Sequence, residues 1–220
     1  SLEIRTGQTL SIVGESGSGK TTLARCVTKL ISSDDGEINF NGKNLNRISK
    51  KELNLIRREI QFIFQDPYAS LNPRMPVNYL VTEPLHIHGE IRKKENTEHA
   101  SRLLNEVKLD DSYLNRYPHE LSGGQRQQVA FGRAMMTKPS VMLLDEPTAG
   151  VSPIVMDEIF SNILDVRNAG MAVLMVEQNA QQALNIADKG YVLVSGRNEH
   201  TGTGKELINN PEVRKKFLGG

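Results

Sequence analysis

The sequence predicts an α/β fold in which a mainly parallel β-sheet is interrupted by a helical insert. In two parts of the chain, short apolar runs alternate with amphipathic stretches of roughly 10–15 residues, the pattern of parallel βαβ units. Between them, residues 66–137 have almost no strand signal and show helical periodicity. We therefore expect one domain, with an α/β core at 1–65 and 138–220 and a helical subdomain at 66–137.

The first part of the predicted core begins with a buried strand at 9–13 and a helix at 20–30. The next strand, 37–40, precedes Asn41-Gly42, a pair typical of tight hairpin turns, which predicts a small β region near the N-terminus. A short helix at 52–58 and a second buried strand at 60–64 complete this part.

Four proline residues near the beginning of the insert predict a loop there: Pro67, Pro73, Pro76 and Pro84. Two helices follow, at 93–107 and 125–136, and Ser122 is placed to cap the second. Strands and helices then alternate again. The strands are predicted at 141–144, 172–176 and 191–194, and the helices at 154–167 and 180–187.

Composition narrows the range of functions. The 220 residues carry 27 basic and 26 acidic side chains, a net charge of +1, so no broad electrostatic attraction to nucleic acid or lipid is expected. A single cysteine, Cys26, fits a reducing compartment. The longest apolar run, 171–176, is far shorter than the ~20 residues that cross a bilayer, so any membrane association is expected to come through a partner.

A glycine-rich loop, Gly14–Thr21, follows the first strand and opens the first helix. In this context the backbone N–H groups curl around the phosphates of a nucleotide, Lys20 supplies charge to the β and γ oxygens, and the hydroxyl of Thr21 coordinates Mg²⁺. The predicted nucleotide-binding residues of this loop are Gly14, Glu15, Ser16, Gly17, Ser18, Gly19, Lys20, Thr21 and Thr22.

Two carboxylates follow the apolar run at 141–144, at the carboxyl end of a strand, where open α/β sheets bind ligands. Asp145 is predicted to hold the Mg²⁺ shell. Glu146 is expected to point the other way along the strand and to polarise an attacking water as a general base.

The decisive motif is Leu121–Gln125, Leu-Ser-Gly-Gly-Gln. Together with Gly14–Thr21, Gln65 after a strand, and Asp145-Glu146-Pro147-Thr148, it makes the whole chain resemble the nucleotide-binding subunit of ATP-binding cassette (ABC) transporters. The resemblance implies a P-loop NTPase core that carries the helical subdomain of that family.

The resemblance further implies that two such subunits dimerise head to tail around ATP. The signature residues Ser122, Gly123, Gly124 and Gln125 would then contact nucleotide held by the partner, and Gln65 would contact Mg²⁺ and the attacking water. The implied cofactors are ATP and Mg²⁺. The implied partners are a second nucleotide-binding subunit and a transmembrane permease, at the cytoplasmic face of the cell membrane.

The chain departs from the family pattern at two places. Many members have, at the position of Gln178, a histidine that contacts the γ-phosphate, which makes Gln178 a candidate catalytic residue. Glutamine can hydrogen-bond an oxyanion but cannot carry the charge of a proton, so either hydrolysis is slower or it depends more on Glu146. The family usually has an aromatic residue upstream of the first strand that stacks on adenine, whereas this chain begins Ser1-Leu-Glu-Ile. Either the chain is trimmed there or base stacking is weak.

The resemblance also divides by region, which leaves the cargo open between peptides and amino acids. Similarity to oligopeptide, dipeptide and nickel importer ATPases lies in residues 64–73 and 119–129. Segments from residue 149 to the C-terminus are instead similar to branched-chain amino-acid importer ATPases. In that second group, glutamine at the position of Gln178 is usual. Two other functions remain open: a cassette protein of DNA repair or translation, and a nucleotide-binding module without hydrolysis.

Overall fold

The core of the molecule is a six-stranded β-sheet. The computed structural model describes residues 1–65, 71–91 and 96–218. Its strands are β1 Thr9–Val13, β2 Asn39–Phe40, β3 Lys43–Asn44, β4 Ile60–Ile63, β5 Val141–Asp145, β6 Ala172–Glu177, β7 Lys189–Val194 and β8 Arg197–Gly202. The sheet has the order β4-β5-β6-β1-β7-β8, in which only β8 runs antiparallel to its neighbour, and β2 and β3 form a separate hairpin. The predicted fold class is confirmed.

The order of the strands places the carboxyl ends of β1, β5 and β6 side by side. β1 pairs in parallel with β6 and β6 with β5, so that Val13 lies opposite Glu177 and Asp145 opposite Val176. All residues of β1 are buried. Loops that follow these strands therefore meet at one edge of a rigid sheet.

Nine α-helices surround the sheet within the described residues. They are α1 Lys20–Val27, α2 Lys50–Glu59, α3 Val77–Ile87, α4 Asn96–Glu106, α5 Gly123–Met135, α6 Pro153–Asn168, α7 Ala180–Asn185, α8 Gly204–Asn209 and α9 Pro211–Phe217. The sequence predicted α1, α2, α4, α5, α6 and α7 with small shifts at their ends. Residues 93–95 of the predicted helix 93–107 lie outside the described residues.

The loop predicted from the prolines of the insert is wrong for residues 77–87, which form α3 with Pro84 inside it. Proline interrupts one backbone hydrogen bond of a helix, but burial of an apolar face outweighs that cost here. Leu80, Val81 and Leu85 are all almost fully buried. Pro67 lies outside the described residues.

The sequence missed three elements at the C-terminus: β8, α8 and α9. β8 reads Arg-Asn-Glu-His-Thr-Gly, with no apolar alternation, and it forms because its backbone pairs with β7 at the edge of the sheet. The predicted turn between β2 and β3 is confirmed, with Asn41 and Gly42 both at positive φ (47° and 75°).

One continuous apolar cluster joins the helical insert to the sheet. It includes Leu80, Leu104 and Val129 of the insert together with Met142 and Leu144 of β5. The division of the chain at 65/66 and 137/138 stays a prediction. Within the described residues, no helix combines the length and apolarity that crossing a membrane demands.

Candidate functional site

The glycine-rich loop has the backbone conformation that its sequence predicts. Gly17 and Gly19 have φ of 78° and 96°, in the left-handed region that favours glycine, and α1 begins directly after Gly19. A Cβ on Gly14 would lie 2.2 Å from the carbonyl oxygen of Leu193. The amide of Gly196 also donates to the carbonyl of Ser18 at 3.0 Å, so the β7–β8 turn supports the loop from one side.

Lys20 is folded back over this loop and is only 3% exposed. Its Nζ donates to the carbonyl oxygens of Gly14 and Glu15, both at 2.9 Å. It also lies 3.5 Å from Oε1 of Glu146. The ammonium group is therefore held at the centre of the loop, where the phosphates of a nucleotide would need it.

The remaining predicted residues of the loop differ in exposure. Ser18 is buried, and Thr21 and Gly19 are half-buried. The exposed ones are Glu15, Ser16, Gly17 and Thr22. The open side of the loop is thus polar and accessible.

Thr21 and Asp145 bring the two halves of the site together. The hydroxyl of Thr21 donates to Oδ1 of Asp145 at 2.7 Å, although the two residues are 124 positions apart in sequence. The other carboxylate oxygen, Oδ2, is buried and has no hydrogen-bond partner among the described residues. A buried, unpartnered carboxylate oxygen beside a threonine hydroxyl fits Mg²⁺, which prefers oxygen ligands.

The side chain of Glu146 points toward this group. Alternation along a strand had predicted that it points in the opposite direction from the side chain of Asp145. β5 ends at Asp145, and Glu146 has a left-handed backbone with φ of 44°. Its amide donates to the carbonyl of Val176 at 2.8 Å, which fixes this unusual conformation. The prediction was wrong because the turn, and not the strand, sets the direction of the side chain. Left-handed backbone in a residue other than glycine is strained and is frequent at functional sites.

Gln65 joins the same group from the end of β4. Its side-chain amide donates to Oε2 of Glu146 at 3.0 Å. The structure thus brings together five residues that the sequence predicted as site residues: Lys20, Thr21, Gln65, Asp145 and Glu146.

The signature residues form the capped N-terminus of α5. Ser122 accepts a hydrogen bond from the amide of Gln125 at 3.3 Å, and the side chain of Gln125 accepts one from the amide of Ser122 at 3.0 Å. This is a capping box, so the predicted cap is confirmed. A Cβ on Gly123 would meet open space, whereas one on Gly124 would lie 2.8 Å from Val155.

The signature residues and the phosphate loop are separate within the chain. Among the described residues, no hydrogen bond or ion pair joins Ser122–Gln125 to Gly14–Thr21. The side-chain amide of Gln125 instead donates to the hydroxyl of Tyr113 at 2.9 Å. A helix N-terminus with an exposed glycine is therefore left facing outward.

Gln178 lies just beyond β6, and its side chain is exposed. Its backbone amide donates to Glu177, a buried carboxylate that sequence reasoning missed. Burial raises the pKa of Glu177, and hydrogen bonds from Thr148, Asn179 and Gln178 act in the opposite direction. A charged residue closing the apolar run 172–176 was the signal that could have identified it.

The sequence pattern of the ABC transporter family matches residues 1–149. The glutathione import ATP-binding protein GsiA of Escherichia coli K12 is 38% identical over 213 residues, which are 96% of this chain and 34% of that protein. The protein of the same name from Shigella flexneri has the same identity and coverage. This chain thus spans about a third of the length of the curated relatives it matches.

Solved structures with the same fold include the ATP-binding cassette MJ0796, in a dimeric post-hydrolysis state bound to ADP and Pi. It has a TM-score of 0.82 and 29% identity, over 92% of this chain and 88% of that one. A second is cbiO1 from Clostridium perfringens, part of the ABC transporter complex cbiONQ. Its TM-score is 0.85 at 26% identity, over 98% of this chain and 84% of that one.

Proposed function

This chain belongs to the ABC transporter family, and from that premise we propose that it binds and hydrolyses ATP as the motor domain of a membrane importer. The observation that carries the proposal is the 2.7 Å hydrogen bond between Thr21 and Asp145. It joins the phosphate loop to the carboxyl end of β5, so that nucleotide, metal and general base can meet at one point.

Each residue of this group has a role that its position supports. Lys20, held over the loop, would contact the β- and γ-phosphates, and Thr21 and Asp145 would hold Mg²⁺. Mg²⁺, when bound, neutralises charge that develops on the phosphate oxygens. Glu146 accepts the proton of the attacking water, and Gln65 orients its carboxylate through the 3.0 Å hydrogen bond.

We place the second half of the site on another copy of the domain or a related subunit. The N-terminus of α5 faces outward and offers backbone N–H groups and a positive dipole, which suit a phosphate. Ser122, Gly123, Gly124 and Gln125 would then contact nucleotide bound to the partner's loop. The dimeric state of MJ0796 supports this arrangement.

Two measurements test this function. The first is phosphate release from Mg²⁺-ATP by the purified protein, which a nucleotide-binding module without hydrolysis would not show. The second is disulfide crosslinking between a Ser16→Cys chain and a Gly123→Cys chain, both carrying Glu146→Gln and Cys26→Ser. We expect a crosslinked dimer only when ATP is present.

The matched control for the crosslinking is Lys205→Cys in place of Gly123→Cys, because Lys205 is an exposed residue of α8, outside the signature motif. A crosslink that forms equally with either cysteine, or without ATP, would contradict the composite site. Absence of phosphate release by the parent protein would contradict ATP hydrolysis itself.

The partner in the membrane is proposed to dock in a groove of about 490 Å³ between α2, β4, α3 and α5. Phe64 and Ile87 line it and are 39% and 70% exposed, a degree of apolar exposure that is typical of interaction sites. The groove begins next to Gln65, so a docked partner would be coupled to the nucleotide site. This docking would place the domain at the cytoplasmic face of the membrane, with 66–137 acting as the coupling subdomain.

For the cargo, we propose a peptide or an amino acid. The support is the name of the glutathione import ATP-binding protein, whose sequence is 38% identical to this chain. Uptake of a labelled peptide by cells that express the domain with its permease, compared with uptake of a labelled branched-chain amino acid, tests this choice.

A further inference from the structure

Glu177, the last residue of β6, is a buried carboxylate to which the proposed chemistry assigns no step. It is 2% exposed, although charged side chains are rarely buried without partners. It lies between two functional segments: the turn that follows Glu146 and the loop that carries Gln178.

Both oxygens of this carboxylate accept hydrogen bonds, and all of the donors come from those two segments. Oε1 accepts from the amide of Thr148 at 3.0 Å and from its hydroxyl at 2.7 Å. Oε2 accepts from the amides of Gln178 at 3.0 Å and Asn179 at 3.4 Å. Four donors around one carboxylate offset part of the cost of burying its charge and hold it in one orientation.

The turn held by Glu177 is also tied to the signature helix. The side-chain amide of Gln127, in α5, is buried and donates to the carbonyl of Pro147 at 3.2 Å. Gly124 packs directly on Val155, at the beginning of α6. The turn from 147 onward therefore contacts both β6 and the helix whose N-terminus faces outward.

We propose that Glu177 is a positioning residue for ATP hydrolysis, which fixes the turn after Glu146 relative to Gln178 and to the signature helix. The inference rests on the proposed ATPase function. Movement of the signature helix, or of the exposed Gln178, would be transmitted through Thr148 and Pro147 to the adjacent Glu146. Such a residue controls the geometry of turnover and leaves the phosphate loop, which binds the nucleotide, unchanged.

The first test is Glu177→Gln, measured by steady-state phosphate release and by equilibrium binding of ATP. Glutamine has the same shape but one of its two polar atoms is a donor, and each side of the pocket presents only donors. We expect kcat to fall by about tenfold or more, because an unpaired buried donor shifts the turn. The Kd for ATP should change by less than about threefold, because no contact of Lys20 is altered.

Two substitutions of Thr148 form a matched pair of variants, and this second test does not depend on whether Glu177→Gln folds. Thr148→Val removes the 2.7 Å hydroxyl donor and keeps the shape, and Thr148→Ser keeps the donor. We expect Thr148→Val to lower kcat with little change in Kd, and Thr148→Ser to retain most of the parent's rate. A role in stability alone would lower the unfolding midpoint of Thr148→Val without this split between kcat and Kd.

The control is Glu98→Gln, an exposed acid on α4 that should leave both constants unchanged. If the parent protein is active and both Glu177→Gln and Thr148→Val turn over at the parent's kcat, the inference is overturned and the ATPase proposal stays intact. An inactive parent would instead overturn the ATPase function. If Glu177→Gln weakens ATP binding as much as it slows turnover, the positioning role is also overturned.

Discussion

Glu146 and Lys20 lie 3.5 Å apart, carboxylate oxygen to ammonium nitrogen, and both are largely buried. Lys20 also donates to two carbonyl oxygens of the phosphate loop. A γ-phosphate that binds Lys20 must therefore either share the ammonium group with Glu146 or displace the carboxylate of Glu146 from it. The ion pair thus links nucleotide binding directly to the position of the general base.

Lys20→Ala is expected to abolish measurable nucleotide binding. The variant removes the only basic side chain of residues 14–22, and each charge-assisted hydrogen bond that Lys20 makes to a β- or γ-phosphate oxygen contributes roughly 1.5–3 kcal/mol. Titration with a fluorescent ATP analogue measures the loss. Lys51→Ala, an exposed lysine on α2, is the control. Binding within a few-fold of the parent would contradict the role given to Lys20.

Glu146→Gln is expected to keep nucleotide binding and to slow turnover by about 10²-fold or more, the usual contribution of a general base. Glutamine can still accept the hydrogen bond from Gln65 but cannot take a proton from water. Because hydrolysis no longer follows binding, we expect an ATP-dependent dimer to accumulate, visible by size-exclusion chromatography. Turnover at the parent's rate would refute the assignment of Glu146 as the base.

The sequence predicted the site more completely than the fold around it. The conformation of Gly14–Thr21 is set locally, because the positive φ of its glycines and the helix that follows depend only on neighbours in sequence. The apolar runs of β1, β5 and β6 are likewise local signals, and their parallel order placed Asp145 beside the loop. These parts were predictable for that reason.

The parts that sequence missed are set by distant contacts. Helix α3 forms around Pro84 because Leu80 and Leu85 are buried against the rest of the core. β8 has no strand pattern of its own and depends on pairing with β7. Glu177 reads as an ordinary acid, since its partner Thr148 is 29 residues away in sequence.

Asp145→Asn is expected to weaken the binding of Mg²⁺ and so to raise the Mg²⁺ concentration that turnover requires. Asparagine can keep the hydrogen bond from Thr21, but it removes the negative charge and can replace the unpartnered Oδ2 by a donor. Titration of phosphate release with Mg²⁺ should show a half-saturating concentration raised by about tenfold or more. ATP binding in the presence of a chelator should change little. Asp157→Asn, an exposed acid of α6, is the control, and an unchanged Mg²⁺ titration would contradict the metal site.

Ile87→Glu is expected to release the domain from membranes without loss of its own ATPase activity. Ile87 is 70% exposed and lines the groove proposed for the membrane partner, so a charge there opposes apolar docking. Fractionation of cells that express the complete transporter measures the share of the domain in the membrane pellet. Ile31→Glu, an exposed apolar residue outside the groove lining, should stay in the pellet. Equal retention of both variants would contradict docking in this groove.

Glu177 should give stability a pH dependence of predictable sign. Burial raises its pKa above the ordinary value, so the folded state binds the proton more tightly than the unfolded chain does. The resulting stabilisation is present below the ordinary glutamate pKa of about 4.3 and is lost as pH rises through the raised value. The free energy of unfolding of the parent, minus that of Glu177→Gln, should therefore fall as pH rises from about 4 to about 7. The control is Gln178→Ala, which removes no ionisable group. The free energy of unfolding of the parent, minus that of Gln178→Ala, should not change with pH over this range. If urea titrations show a parent-minus-Glu177→Gln difference that is constant or increases over this range, the raised pKa is contradicted.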